Sequence, residues 1–206
     1  MNTDGGPGPE GRDQFEDREE AEAPGAEEIL TEIESVNLSP SEHQRVKDLV
    51  NGEEMNRIKG YDRRYLVAGA GGETGAATRR KTVCDLLDER TDPPSVAFRL
   101  EDFGLTPEDI RLWHRVFDIC CGRATHIVAV LEDFDGGYVW ELGLLFAPSY
   151  RDRVWVLKRR YPDEETERER YDNGMAASHV KLLLTGDRCH EWIDADELRD
   201  AVNEVP

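Results

Sequence analysis

The sequence predicts a doubly wound α/β fold: a flavodoxin-like, mostly parallel, five-stranded sheet with a helical N-terminal extension. Three observations predict it. Short apolar runs rich in β-branched residues alternate with segments of helical period along residues 61–206. Alternating strands and helices need crossover connections, which make neighbouring strands parallel. The run from Thr125 to Leu131 is the most continuous β-branched stretch, as a central strand covered on both faces requires.

The elements follow in order. Residues 1–26 combine Gly5-Gly6-Pro7-Gly8-Pro9 with many carboxylates and a single aromatic, Phe15. Such a segment cannot bury enough apolar surface to offset its chain entropy, so an acidic disordered tail is expected. Residues 27–60 turn helical, with a stripe of Ile29, Leu30, Ile33 and Val36 and a helix start at Ser39-Pro40-Ser41-Glu42. The α/β domain spans 61–206. Strands are expected at 64–68, 95–100, 125–131, 153–157 and 190–194. Helices are expected at 76–90, from 106 to about 120, at 139–146, 175–184 and 195–202. Between the fourth strand and the next helix lies a charged loop. Arg151, Arg153, Lys158, Arg159 and Arg160 bracket that strand and read as surface ion-pairing partners for the acids at 163–169.

Charge narrows the function classes. The chain has 206 residues and a formal net charge of −19. So negative a chain repels phosphate backbones, which argues against nucleic acid as a partner. No stretch approaches the ~20 apolar residues of a membrane span, and the acidic start does not read as a signal peptide. Ten carboxylates against two arginines precede Ile29, so much of the acidity remains in the body. Only five of the 26 basic residues are Lys. Carboxylate-rich, Lys-poor composition suits a salt-adapted, halophilic cytoplasm, where hydrated charge keeps proteins dispersed. Cys84, Cys120, Cys121 and Cys189 form no C-x-x-C and read as buried free thiols in a reduced cytoplasmic setting.

One local anomaly points to chemistry. Residues 136–150 carry a single charge, Glu141, in a chain that is 34% charged. A lone carboxylate on an apolar helix either costs desolvation or has a task. Glu141 falls in the first turn, where the helix dipole favours an anion, so the expectation is an ionised nucleophile. Glu132-Asp133-Phe134-Asp135 follows the central strand and adds carboxylates at the sheet's carboxyl edge. Carboxylates around a sugar suit glycosyl transfer, one attacking the anomeric carbon while others bind hydroxyls or handle protons.

Together, Asp118, the strand 125–131, Asp135-Gly136-Gly137 and Glu141-Leu142-Gly143 resemble the nucleoside 2-deoxyribosyltransferases and related nucleotide N-glycosidases. The six-residue step from Asp135 to Glu141 and the opening Tyr65-Leu66-Val67-Ala68-Gly69-Ala70 carry the resemblance, which covers about 64–200. The resemblance implies Glu141 as nucleophile, Asp135 as sugar-binding or orienting group, and Asp118 as the group that contacts the base and assists its protonation. Gly69, Ala70, Gly71, Gly72, Gly136, Gly137 and Tyr138 become the expected substrate-binding residues. The constellation also resembles TIR-like NAD-cleaving domains. The turn at 69–75 lacks the aromatic or Pro on which the family stacks its base, leaving Tyr138 or Trp140 for that role, or Trp140 as core.

Other features have two readings. Arg79, Arg80 and Lys81 follow the Gly-rich turn and read as a phosphate cradle or as a solvated helix face. The turn is not a P-loop, because the Lys-Ser/Thr step is absent. His114 and Asp118 lie four apart without a third ligand, so neither metal nor cofactor is expected. The partner is then a nucleoside or nucleotide, no membrane is involved, and a homo-oligomer is compatible with the sequence. Three functions compete: an N-glycosidase, a non-catalytic nucleotide sensor, and an interaction domain.

Overall fold

The computed structural model describes residues 38–134 and 138–206. The tail expected at 1–26, the stripe of Ile29, Leu30, Ile33 and Val36, and the loop residues Asp135, Gly136 and Gly137 lie outside the described residues.

Helix α1 (Pro40–Asn51) starts with Pro in its first turn, where a missing N–H is no loss. Gly52, in an extended conformation, separates it from α2 (Glu53–Lys59), which buries Met55 and Ile58. Pro40–Pro206 form one compact unit. The Arg57 guanidinium shows how α2 is tied in: it reaches the Asp88 carboxylate at 3.3 Å and the Ala97 carbonyl at 3.2 Å.

The sheet then follows in order: β1 (Arg63–Gly69), α3 (Gly75–Asp88) and β2 (Ser95–Phe98). Two 3₁₀ turns, Leu100–Phe103 and Pro107–Leu112, lead to α4 (Trp113–Arg123) and β3 (His126–Leu131). Next come α5 (Tyr138–Leu145), β4 (Val154–Arg159), α6 (Glu164–Arg170), α7 (Gly174–Thr185), β5 (Cys189–Trp192) and α8 (Ala195–Asn203). The strand order is β2-β1-β3-β4-β5 and every pair is parallel. The fold is therefore the doubly wound α/β sheet that the alternation predicts.

Side-chain alternation sorts the core. Tyr65, Val67, Val128 and Val130 share a cluster with Val83 and Leu87 of α3 and with Leu198, Ala201 and Val202 of α8. Their neighbours Leu66, Ile127, Ala129 and Val156 are equally buried, and α4, α5 and α7 pack against these strands. Burial on both faces is why β3 reads as a continuous apolar run. The chain winds from β1 outward to β2, then back past β1 to β3. That reversal opens a crevice beyond the carboxyl ends of β1 and β3, the usual ligand position in such sheets.

The charged loop holds an additional element. Helix α6 was not expected because it has no apolar stripe, and none of its residues is buried. It forms by capping instead: the Asp163 side chain accepts from the Thr166 N–H at 2.8 Å. The ion pairing expected around β4 also differs. Lys158 does pair with Glu167 at 2.7 Å and with Glu191 at 3.1 Å. Arg159 turns instead to Glu132, and Arg153 donates to the carbonyls of Cys121 and Ala124. The cysteine thiols are free and buried, and burial pushes Cys84, Cys120 and Cys189 up to about 12. These thiols are inert toward nucleophilic chemistry at neutral pH.

Gly69 ends β1 with φ +145°, a backbone that side-chain-bearing residues rarely adopt. A Cβ there would sit 2.7 Å from the Val130 carbonyl oxygen, a backbone atom that cannot step aside. Gly69→Ala is expected to destabilise the protein by more than about 1 kcal/mol. Chemical unfolding measures this, and an unchanged midpoint would contradict the close approach of the two strands.

Candidate functional site

A cleft of about 450 Å³ opens at the switch point. This lies within the range of roughly 300–1,000 Å³ usual for small-molecule sites. Residues 69–72 form one rim, Glu132 and Asp133 at the end of β3 form another, and Glu141 projects from the first turn of α5. Apolar side chains, among them Leu105, Trp113 and Phe117, also line the cleft.

Each charged side chain is held for a local reason. Arg80, only 5% exposed, lies under the Gly-rich turn. One of its terminal nitrogens donates to the Gly69 carbonyl at 3.2 Å, and the other bonds the Glu101 carboxylate. Glu132 is 8% exposed. It accepts two hydrogen bonds from Arg79, at 2.7 and 2.5 Å, and one from Arg159 at 2.8 Å. Lys81 pairs with Asp85 one turn along α3. Neither reading of Arg79, Arg80 and Lys81 therefore describes all three. Arg80 is buried rather than solvated, and all three cations are already engaged by carboxylates rather than presented as a phosphate cradle. Both Arg79 and Arg159 also lie over the Trp192 ring, at 5.9 and 5.5 Å.

Glu141 behaves differently from the helix-dipole expectation. Burial pushes its carboxyl up to about 7, and the positive charge of Arg80 only partly opposes this. Desolvation, the largest cause, sets the direction of the shift for this group in the first turn of an eight-residue helix. Near neutral pH the group is thus divided between carboxylate and acid, the condition of a tunable nucleophile or proton-transfer group.

The structure brings Glu141 together with Gly69, Ala70, Gly71 and Gly72. Asp118 does not line the cleft. It accepts a hydrogen bond from the Tyr150 hydroxyl, and its charge, like that of Glu141, is felt at the buried Cys121 thiol. Asp135, Gly136 and Gly137 are outside the described residues, as is the Tyr138 side chain. Trp140 is neither core nor wall: it is 82% exposed and does not line the cleft. Among the described residues, no group of three or more His, Cys, Asp or Glu side chains is gathered as a metal site needs. No described helix is long and apolar enough to cross a membrane.

Sequence reasoning placed Arg80 beside the Gly-rich turn but missed its carboxylate partner Glu101, and it missed Trp113 as a cleft residue. For Trp113 a signal existed: it stands four residues before Phe117, on the same edge of its helix. For Glu101 none did, because it meets Arg80 across 21 residues of chain.

No protein-family model matches the chain, and no curated protein matches it.

Proposed function

We propose that the cleft breaks the N-glycosidic bond of a nucleoside or nucleotide, by hydrolysis or by transfer, with Glu141 as nucleophile. The observation that carries this reading is the half-buried Glu141 carboxyl, its acidity weakened by desolvation, in a cleft shared with the Gly-rich turn at the sheet's switch point. The ionised carboxylate attacks the anomeric carbon as the bond to the base nitrogen breaks. The base leaves with the bonding electron pair and takes up a proton. Water or a second base then displaces Glu141 from the glycosyl ester. Among the described lining residues, four carboxylates, Glu101, Glu132, Asp133 and Glu141, stand against one cation, Arg80. That balance favours substrates without phosphate.

The test is release of free base from deoxynucleosides, deoxynucleotides and NAD, in low and in high salt, because the acidic composition expects salt adaptation. Glu141→Ala is expected to lower kcat by about 10³-fold or more, as removal of a nucleophile does. In the wild type, kcat/KM rises with pH through about 7 and levels off above it, because the attacking form is the carboxylate. No release from the whole panel in either salt regime overturns the reading.

One observation favours a second reading. Asp118, the group the resemblance assigns to base protonation, is held by Tyr150 outside the cleft lining. A site without that group would sense a nucleotide without turning it over. Ligand-induced thermal stabilisation that survives Glu141→Gln, with no product formed, identifies this case.

A further inference from the structure

The cleft is lined both by charged side chains, Arg80, Glu101, Glu132, Asp133 and Glu141, and by apolar ones that include Leu105, Trp113 and Phe117. Trp113 stands out among the apolar residues. It is the first residue of α4, yet it is 41% exposed where Val116, Phe117 and Cys120 of the same helix are buried. Leaving so large a ring open to water forfeits on the order of 1–2 kcal/mol of burial, unless something covers it.

The ring is anchored at its indole nitrogen. Its Nε1–H donates to the Thr106 carbonyl at 3.2 Å. Thr106 is itself fixed, because its N–H and hydroxyl both donate to the Asp109 carboxylate at 3.0 and 3.1 Å. The same carbonyl also accepts from the Asp109 N–H at 2.9 Å. The indole's polar demand is thus met within the protein, and the rest of this part-exposed ring is apolar surface on the cleft lining. An aromatic face fixed in this way binds flat rings without regard to their hydrogen-bonding edges.

We propose that Trp113 is the stacking platform of this cleft, on which a purine- or pyrimidine-type ring lies while its sugar reaches the carboxylates of the same lining. The proposal rests on the N-glycosidase reading for what happens at Glu141, but not for the ring contact itself. Of the expected platforms, Trp140 is 82% exposed and does not line the cleft, and the Tyr138 side chain lies outside the described residues. The Gly-rich turn has no aromatic to offer. A ring joined to a sugar matches a lining that holds both an aromatic and carboxylates. Phosphate is not required, since the described lining carries more carboxylates than cations.

The experiment uses the full chain with Glu141→Gln, which keeps deoxynucleosides intact. Adenine, deoxyadenosine and thymidine are titrated by tryptophan fluorescence and by calorimetry, with deoxyribose as the ringless control. Ring-bearing ligands are expected to quench part of the emission, and this quench is absent when Trp113→Phe is added. Trp113→Ala is expected to weaken ring binding about tenfold, within the range of base–aromatic stacking, while Trp113→Phe retains most of it. Thermal melting of both variants verifies that they fold. Equal Kd values with and without the Trp113 ring, or no ring binding at all, overturn the proposal. The two readings fail separately. Base release that proceeds unchanged in Trp113→Ala removes the platform and leaves the N-glycosidase. Ring binding that depends on Trp113 without base release from the otherwise wild-type chain keeps the platform and removes the chemistry.

Discussion

Replacing Glu132 by Ala is expected to destabilise the protein by about 3 kcal/mol, because it strands two arginines at the top of the sheet. The Glu132 carboxylate is 8% exposed and holds Arg79 and Arg159 from opposite sides, one reaching from α3 and the other from β4. Tyr161 ties down the backbone of the same residue, donating its hydroxyl to the Glu132 carbonyl at 2.8 Å. Removing the acid leaves both guanidiniums over the Trp192 ring without their counter-charge. Partial solvent access to the two arginines keeps the cost at the lower end of what breaking a buried ion pair brings. Urea unfolding measures it, as a lower midpoint at unchanged slope. A double-mutant cycle with Arg79→Met adds a specific check. The double variant is expected to be more stable than the sum of the two single losses implies, because one of the stranded charges is gone. Strict additivity would mean that Arg79 and Glu132 do not interact.

Replacing Glu141 by Gln is expected to have the opposite sign: it stabilises the protein, and only above acidic pH. Burial raises the folded-state carboxyl from 4.5 to about 7. Between these two values the native protein keeps a proton that the unfolded chain has lost. Wild-type stability therefore falls as pH rises from about 4.5 to about 7, then stays level. The full shift corresponds to about 3 kcal/mol. Glutamine carries no charge at any pH, so it removes the penalty. At pH 8 the variant is expected to gain up to about 3 kcal/mol, or roughly 6–12 °C in Tm for a domain of this size. At pH 4 the gain is expected to vanish. Equal melting temperatures at pH 8 would show that Glu141 is not buried as described. Together with lost turnover, the gain would mark Glu141 as a residue kept at the expense of stability, as reactive groups in clefts commonly are.

Much of the fold was legible because its causes are local. The apolar run at Thr125–Leu131, the Gly-rich turn after Ala68 and the closing helix from Ala195 each depend on neighbours a few residues away, although Asp194, expected to end a strand, caps that helix instead. Helix α6 escaped for the same reason in reverse: its amphipathic signal is missing, and a single cap at Asp163 supports it. Glu141 was legible through contrast alone, as the one charge in an apolar stretch.

The cleft was less legible because its causes are not local. Arg80 belongs to Glu101 and Gly69, Arg79 and Arg159 belong to Glu132, and Asp118 belongs to Tyr150. Each pairing joins segments that only the order β2-β1-β3-β4-β5 brings side by side. The ionisation of Glu141 turned on the same thing. Its place in the first turn of a helix argued for a low pKa, and burial within the assembled cleft overruled that argument. The sequence by itself determined the alternation of strands and helices and singled out one carboxylate, since both are properties of short windows of chain. Only the tertiary structure decided which aromatic faces that carboxylate's cleft and how readily it holds a proton, since both depend on what distant segments exclude from water.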